Sequence, residues 1–159
     1  DAIARTTQHR VGQEIITEIV VDLGTSKATV IGGNGAEKAV GVSGKAASLG
    51  QMTRAKVGIV TEVRAVVTEA PDSDGDVNNT LDIWFHTAGI TQGAAVGGGT
   101  AGPADINAAG EDTTATYDAN QLENLYLYIA NASGVSGNVQ FSAGKLVIYI
   151  YGFAVPDDL

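Results

Sequence analysis

The stretch GKLVIYIYGFAV, residues 144–155, is the part of the sequence that indicates the fold class most directly. Its central residues fall into two alternating sets, in the order Leu146, Val147, Ile148, Tyr149, Ile150, Tyr151. A period of two places each set on one face of a strand, whereas a helix would repeat its apolar residues every three or four positions. β-Branched and aromatic residues are also those that strands favour. The stretch therefore predicts a strand that is apolar on both faces.

Four more segments have the same period: EIITEIVVDL (14–23), VGIVTEVRAVVTEA (57–70), TLDIWFHTA (80–88) and LYLYIANA (125–132). In the second of these we expect one buried face made of Val57, Ile59, Val63 and Val67. Weaker strand patterns lie at 28–33, 38–43 and 137–142, and helical patterns are limited to 44–56 and 118–124. Such strands, separated by Gly-rich turns, predict an all-β fold: a jelly-roll-like antiparallel β-sandwich in one domain, residues 14–159.

Two segments lack a sustained strand or helix pattern. Residues 1–13, DAIARTTQHRVGQ, are predicted to form an N-terminal arm that works outside the core. Residues 86–120 form a long Gly/Ala-rich loop, and so long a loop in a compact domain is either disordered or held by other structure. We expect neighbouring subunits to hold it, because it lacks the charge of most disordered segments.

Composition excludes several classes of function. The net charge is −9, and an acidic chain repels phosphate backbones, so we expect no nucleic-acid partner. The sequence has no Cys, hence no disulfide framework and no thiolate metal site. Its apolar runs are too short to cross a bilayer, so we expect no membrane partner.

Residues 20–30, VVDLGTSKATV, resemble the first phosphate-binding turn of the actin and sugar-kinase superfamily. That superfamily also has a second phosphate-binding turn and an adenosine motif, on two large lobes. The sequence shows no match to either motif, and its 159 residues are too few for two such lobes. We therefore predict an ordinary turn after a strand, and no ATP binding.

The segment DSDGDVNN, residues 72–79, is a weak calcium candidate because Asp72, Asp74 and Asp76 offer three carboxylates at alternate positions. An EF-hand loop would need Gly at its sixth position and Glu at its twelfth, where this chain has Val77 and Ile83. Asp-Gly between two strands is instead typical of a hairpin turn. We favour a hairpin without a specific metal.

Catalytic arrangements are not evident in the sequence. His9 and His86 are the only histidines, and no G-x-S-x-G segment accompanies them. None of the Gly-rich segments has the Lys-Ser/Thr ending of a P-loop. We therefore predict that the protein is not an enzyme and has no cofactor.

Four tyrosines, Tyr126, Tyr128, Tyr149 and Tyr151, lie opposite the aliphatic faces of two predicted strands. If those strands are neighbours, the rings form one aromatic patch. Such a patch could stack on sugar rings, or it could be buried against a packed sheet or another subunit, since tyrosine suits both environments. We favour the buried or interfacial interpretation.

The end of the chain, SAGKLVIYIYGFAVPDDL (142–159), resembles the end of the jelly-roll decoration, or cement, proteins of tailed-phage capsids. Those proteins often finish on Gly-Lys, an apolar strand, Tyr-Gly-Phe and a short acidic tail. The preceding segment NQLENLYLYIANASG (120–134) is similar in style. The resemblance covers about the last 40 residues and carries no catalytic residues.

The resemblance implies a structural virion protein on the capsid surface, a homotrimer that clamps neighbouring major capsid subunits. Candidate contact residues are the four tyrosines together with Arg5, His9 and Arg10, which form a small basic island suited to an acidic neighbour. One alternative is a carbohydrate-binding β-sandwich that uses the tyrosines and the aspartate segment. Another is a tail or neck component of the virion.

Overall fold

A computed structural model describes residues 3–24, 30–74, 79–132 and 137–155. Within these ranges the chain forms eleven strands and one short helix. In chain order they are β1 (Ala4–Val11), β2 (Glu14–Asp22), β3 (Val30–Gly32), β4 (Gly41–Val42), β5 (Gly50–Gln51), α1 (Arg54–Val57), β6 (Ile59–Ser73), β7 (Leu81–His86), β8 (Thr100–Ala101), β9 (Asp112–Thr116), β10 (Tyr126–Asn131) and β11 (Val139–Phe153). No helix in these ranges is both long and apolar enough to cross a membrane.

The larger sheet has seven strands and is built around β11. Strand β2 pairs with β11 from Lys145 to Phe153, and β6 pairs with the other edge of β11 from Phe141 to Phe153. Strand β1 lies outside β2, β9 lies outside β6, and β3 pairs with the start of β11 and with β4. Every pair is antiparallel. Strands β1 and β9 each have one neighbour, so they form the two edges of the sheet beside the long central strands.

The smaller sheet has the order β5–β10–β7–β8 and is also antiparallel. The two sheets share one apolar core, in which Ile19 and Ile148 from the larger sheet lie in the same cluster as Phe85 and Ile129 from the smaller one. The architecture is the all-β, jelly-roll-like antiparallel sandwich that the sequence predicts.

The period-2 patterns give the strand faces correctly, with one exception. Leu146, Ile148 and Ile150 are buried, as their alternation predicts. In β6, however, Ile59 is only half-buried and Val60 is buried. A register shift between Tyr151 and Gly152 of β11 changes the pairing at this end of β6, and the alternation of side chains changes with it. The predicted inward position of Ile59 is therefore wrong.

The N-terminal segment is more regular than its sequence suggests. The sequence predicts no regular structure for residues 1–13, but β1 pairs with β2 along its whole length, from Ala4 with Val21 to Val11 with Glu14. A two-residue turn joins them, and Gly12 in that turn has a φ of 61°, which glycine adopts without strain. The pattern was weak because almost every β1 side chain is exposed at the sheet edge.

The long Gly/Ala-rich segment, residues 86–120, is held by its own chain. It contributes β8 and β9, and isolated bridges join Ala95 to Lys38 and Ile106 to Leu81. Val96 and Ile106 are fully buried. Pairing and burial within the chain therefore hold much of this segment, and contact of its exposed residues with neighbouring subunits stays a prediction.

Candidate interaction surfaces

The four candidate tyrosines do not form one patch, because β10 belongs to the smaller sheet and β11 to the larger one. Tyr128 on β10 is fully buried, and its hydroxyl donates a hydrogen bond of 2.9 Å to the carbonyl oxygen of Thr87. Burial raises the pKa of this hydroxyl, which remains protonated. Tyr128 is a core residue, which agrees with the buried interpretation of the tyrosines, and its side chain is therefore not available as a capsid or subunit contact.

A second small core explains the burial of Tyr128. Segments from the first and second thirds of the chain fold over the outside of the smaller sheet and enclose five buried residues: Ala39, Ala47, Val96, Tyr128 and Ala130. Tyr126, Trp84 and Ile90 are half-buried around this cluster. The smaller sheet is therefore covered on both faces. The larger sheet has the main core on its inner face only, so its other face is the candidate surface.

The outer face of the larger sheet carries several partly exposed apolar side chains. We use the term outer face for Ile16, Val20, Val66, Val147, Tyr149, Tyr151 and Phe153, which the strand register aligns on the side away from the core. The rings of Tyr149 and Tyr151 are nearly parallel, with centroids 6.4 Å apart and planes at 25°. Phe153 is 48% exposed.

Charged side chains border the aromatic pair. The Arg64 guanidinium lies 6.0 Å from the centre of the Tyr149 ring. It also donates to both carboxylate oxygens of Asp112, at 2.7 and 2.5 Å, and thereby holds the pKa of that carboxyl below its usual range. On the same sheet, the Lys145 ammonium lies 3.1 Å from Glu69. The Lys145–Glu69 pair therefore lies at one end of the outer face, whereas the Arg64 guanidinium lies over the Tyr149 ring within it.

The basic residues of β1 are divided between two faces. Arg5 is opposite Val20, and His9 is opposite Ile16, so both belong to the side that bears Tyr149 and Tyr151. Arg10 is opposite the buried Ile15 and belongs to the other side. The structure therefore groups Arg5 and His9 with the outer face and separates Arg10 from it.

The aspartates of the calcium candidate have structural partners. Asp72 accepts hydrogen bonds from the Ser73 backbone N–H at 3.0 Å and from Asn79 Nδ2 at 3.3 Å. Asp74 accepts one of 2.8 Å from the Gln140 backbone N–H, which joins the end of β6 to the start of β11. Asp76 lies outside the described residues. Within the described ranges, no three acidic or histidine side chains are grouped as metal ligands.

The segment that resembles a phosphate-binding turn is described only as far as Gly24. The Gly24 backbone N–H donates to the Asp22 carboxylate at 3.1 Å, so this carboxylate stabilises the turn that follows β2. Residues 25–29 lie outside the described residues. His86, at the end of β7, accepts a hydrogen bond of 2.8 Å at Nδ1 from the Thr87 backbone N–H.

Sequence reasoning missed a groove along one edge of the sandwich. Two neighbouring cavities, of about 350 and 290 Å³, lie between β1 on one side and residues 41–52 on the other. We call them together the edge groove. The lining residues are far apart in the sequence, and only the pairing of β1 with β2 brings them together.

No family model matches this chain, and no curated protein or solved structure is significantly similar to it.

Proposed function

We propose that the protein is a structural virion protein that binds the outer surface of a tailed-phage capsid and clamps neighbouring major capsid subunits. The observation that carries this proposal is the outer face of the larger sheet. It presents an aromatic pair and the 48%-exposed Phe153 on a rigid antiparallel sheet. Exposed apolar surface of this kind on a soluble domain marks an interface more often than it marks a catalytic site.

The outer face suits repeated contacts on a shell. Its central strand carries the aromatic side chains, and the register places an acidic residue of a neighbouring strand opposite each of them: Glu18 opposite Tyr149, Glu62 opposite Tyr151 and Glu14 opposite Phe153. Aromatic residues are enriched at protein interfaces, and charged neighbours add complementarity to a partner of opposite charge. On a capsid, many weak contacts of this kind act together and yield strong overall attachment.

The oligomer is the second part of the proposal. We propose a homotrimer in which the outer face contacts either another copy or the major capsid protein, with Arg5 and His9 at its edge. Light scattering should give about three times the 16.2 kDa chain mass. A monomer at working concentration would contradict the trimer while leaving capsid binding to be tested separately.

Capsid attachment is tested by sedimentation with capsids assembled from the major capsid protein of the same genome. The double substitution Tyr151→Ser with Phe153→Ser should reduce the bound fraction by about tenfold, because it removes the aromatic centre of the outer face. Thr114→Ser, on the neighbouring strand β9, is the control and should bind as the wild-type chain does. Equal binding by the double variant would contradict a role for the outer face.

A carbohydrate-binding module is the second candidate, because two nearly parallel tyrosine rings on an open sheet face can stack on sugar rings. A glycan array distinguishes the two proposals. Specific glycan binding that Tyr149→Ala abolishes would favour the module, whereas an array without signal would favour the capsid protein.

A further inference from the structure

Strand β1 has an unpaired edge that borders the edge groove. Within the described residues, β1 pairs only with β2, and β5 across the groove pairs only with β10. The Asp22 backbone N–H bonds to the Ile3 carbonyl at 2.8 Å, which sets the alternation of bonded and non-bonded pairs along the hairpin. In that alternation the backbone N–H groups of Thr6 and Gln8 point away from β2.

The floor of the groove is apolar. Ile19, Leu49 and Met52 line the larger cavity, and Ile3 and Val42 line the smaller one. The Gln8 side chain closes one end by donating hydrogen bonds to Thr17 Oγ1 at 2.9 Å and to the Lys56 carbonyl at 2.6 Å. Cavities of about 350 and 290 Å³ in a row can each take one or two side chains of a bound chain.

The charges at the groove have one sign. Lys56 lines the larger cavity, Lys45 lines the smaller one, and no carboxylate is among the described residues that line either. This is notable in a chain with 18 acidic and 9 basic residues. Arg10 adds a third cation on the same side of β1 as Thr6 and Gln8. A ligand with negative charge therefore complements the groove.

We propose that the edge groove binds an extended acidic segment of another polypeptide. The segment adds as a strand to the free edge of β1, and alternate side chains enter the two cavities. Backbone hydrogen bonds to Thr6 and Gln8 supply affinity, and carboxylates near Lys45 and Lys56 supply selectivity. Pairing of β1 with the β1 strand of a second copy is disfavoured, because it would bring the basic side chains of both strands together. This inference does not depend on the capsid proposal.

The first test selects binders from a random library of twelve-residue peptides and measures their affinity by fluorescence polarisation. We expect the recovered peptides to be enriched in Asp and Glu and to alternate apolar with polar residues. Thr6→Pro removes the free backbone donor without removing a bond to β2, and it should weaken binding by about tenfold or more. Thr6→Ala retains that donor and is the matched control, with binding close to that of the wild-type chain.

The second test is independent of any effect of proline on folding. Lys45→Glu and Lys56→Glu should each weaken binding by about fivefold at low salt, and the loss should shrink at high salt. Lys38→Glu makes the same charge change away from the groove and should have little effect. The proposal is overturned if no peptide is recovered above background, if the peptides show no acidic preference, or if all three lysine variants behave alike. It is also overturned if binding is insensitive to Thr6→Pro, or if that variant abolishes self-association, which would identify the occupant as a second copy.

Discussion

Tyr128 shows how the environment of one residue changes its role. Its sequence position, alternating with aliphatic residues on a strand, is the same as that of Tyr149. Tyr149 lies on a partly exposed face, whereas Tyr128 is fully buried beneath residues 39–47 and 87–96 and bonds to the Thr87 carbonyl. The Tyr128 hydroxyl therefore has a fixed partner within the chain, whereas the Tyr149 ring belongs to a partly exposed face.

We predict that Tyr128→Phe lowers the free energy of unfolding by about 1 kcal/mol, because the Thr87 carbonyl loses its donor. Tyr128→Ala should cost about 3–5 kcal/mol, because it also leaves a cavity. Chemical denaturation of both variants measures these costs. Tyr149→Ala is the comparison on the open face and should cost less than Tyr128→Ala. Equal costs at the two positions would contradict the burial of Tyr128.

Asp82 is a residue whose charge acts against folding. Its carboxylate accepts a hydrogen bond of 2.9 Å from the Asp105 backbone N–H. Partial burial nevertheless raises its pKa above the usual value, and the nearby Asp105 and Glu37 carboxylates contribute to the rise. A raised folded-state pKa means that the native state favours the protonated form. Stability from this group is thus present below the unfolded-state pKa and lost as the pH rises through the folded-state pKa.

Asp82→Asn should therefore raise the melting temperature at pH 7 slightly, by the equivalent of about 1 kcal/mol or less, since the site is partly exposed to solvent. The amide oxygen can still accept the hydrogen bond from Asp105. At pH 3 the advantage should disappear, because Asp82 is then protonated in the wild-type chain as well. Thermal melts of both chains at pH 3 and pH 7 measure the difference in melting temperature between variant and wild type. The prediction is contradicted if this difference is smaller at pH 7 than at pH 3.

At the scale of elements, β1 is a part of the sheet, although its side chains are mostly exposed. Ile3, immediately before it, is 7% exposed and belongs to the main core. Gln8 bonds to both Thr17 and the Lys56 carbonyl, so the strand also connects the larger sheet to α1. An edge strand with these contacts stabilises the fold as well as presenting a surface.

We therefore expect removal of residues 1–11 to lower the melting temperature markedly, because β2 loses its edge partner and the core loses Ile3. Ile3→Ala alone should cost about 2–4 kcal/mol. Val11→Ala, at a side chain that is 70% exposed, is the matched control and should stay within about 0.5 kcal/mol of wild type. A truncated chain as stable as the full chain would show that residues 1–11 are a dispensable arm.

At the scale of the whole molecule, the two sheets share one apolar core. Neither sheet can expose its inner face to water without losing the contacts that bury the other. The second, smaller core lies directly on the back of the smaller sheet, through Tyr128 and Ala130 of β10. Strand β10 contributes side chains to both cores, and β11 contributes to the main core, so both cores lose contacts if these strands separate.

We predict a single cooperative unfolding transition, with the calorimetric enthalpy equal to the van't Hoff enthalpy. The matched probes are Trp84 fluorescence, which reports on the smaller sheet, and far-ultraviolet circular dichroism, which reports on both sheets. Their transitions should coincide. Two separate transitions would indicate that the covering segments or the β1 edge unfold as independent units.

The sequence by itself determined the fold class and most strand faces. Period-2 alternation in β2, β7 and β11 is a local property that survives any arrangement of the sheets, because each strand must bury its aliphatic side. The same reasoning could not assign Ile59, whose face depends on a register shift in the partner strand. It also missed β1, whose exposed side chains have no apolar period to detect.

Only the tertiary structure decided which surfaces are open. It placed β10 and β11 in different sheets, buried Tyr128, left Tyr149 and Tyr151 on the outer face, and formed the edge groove from residues far apart in the chain. The physical reason is that exposure depends on which segments cover a face. Here the covering comes from Gly/Ala-rich segments such as residues 86–97, whose own sequence carries almost no periodic signal.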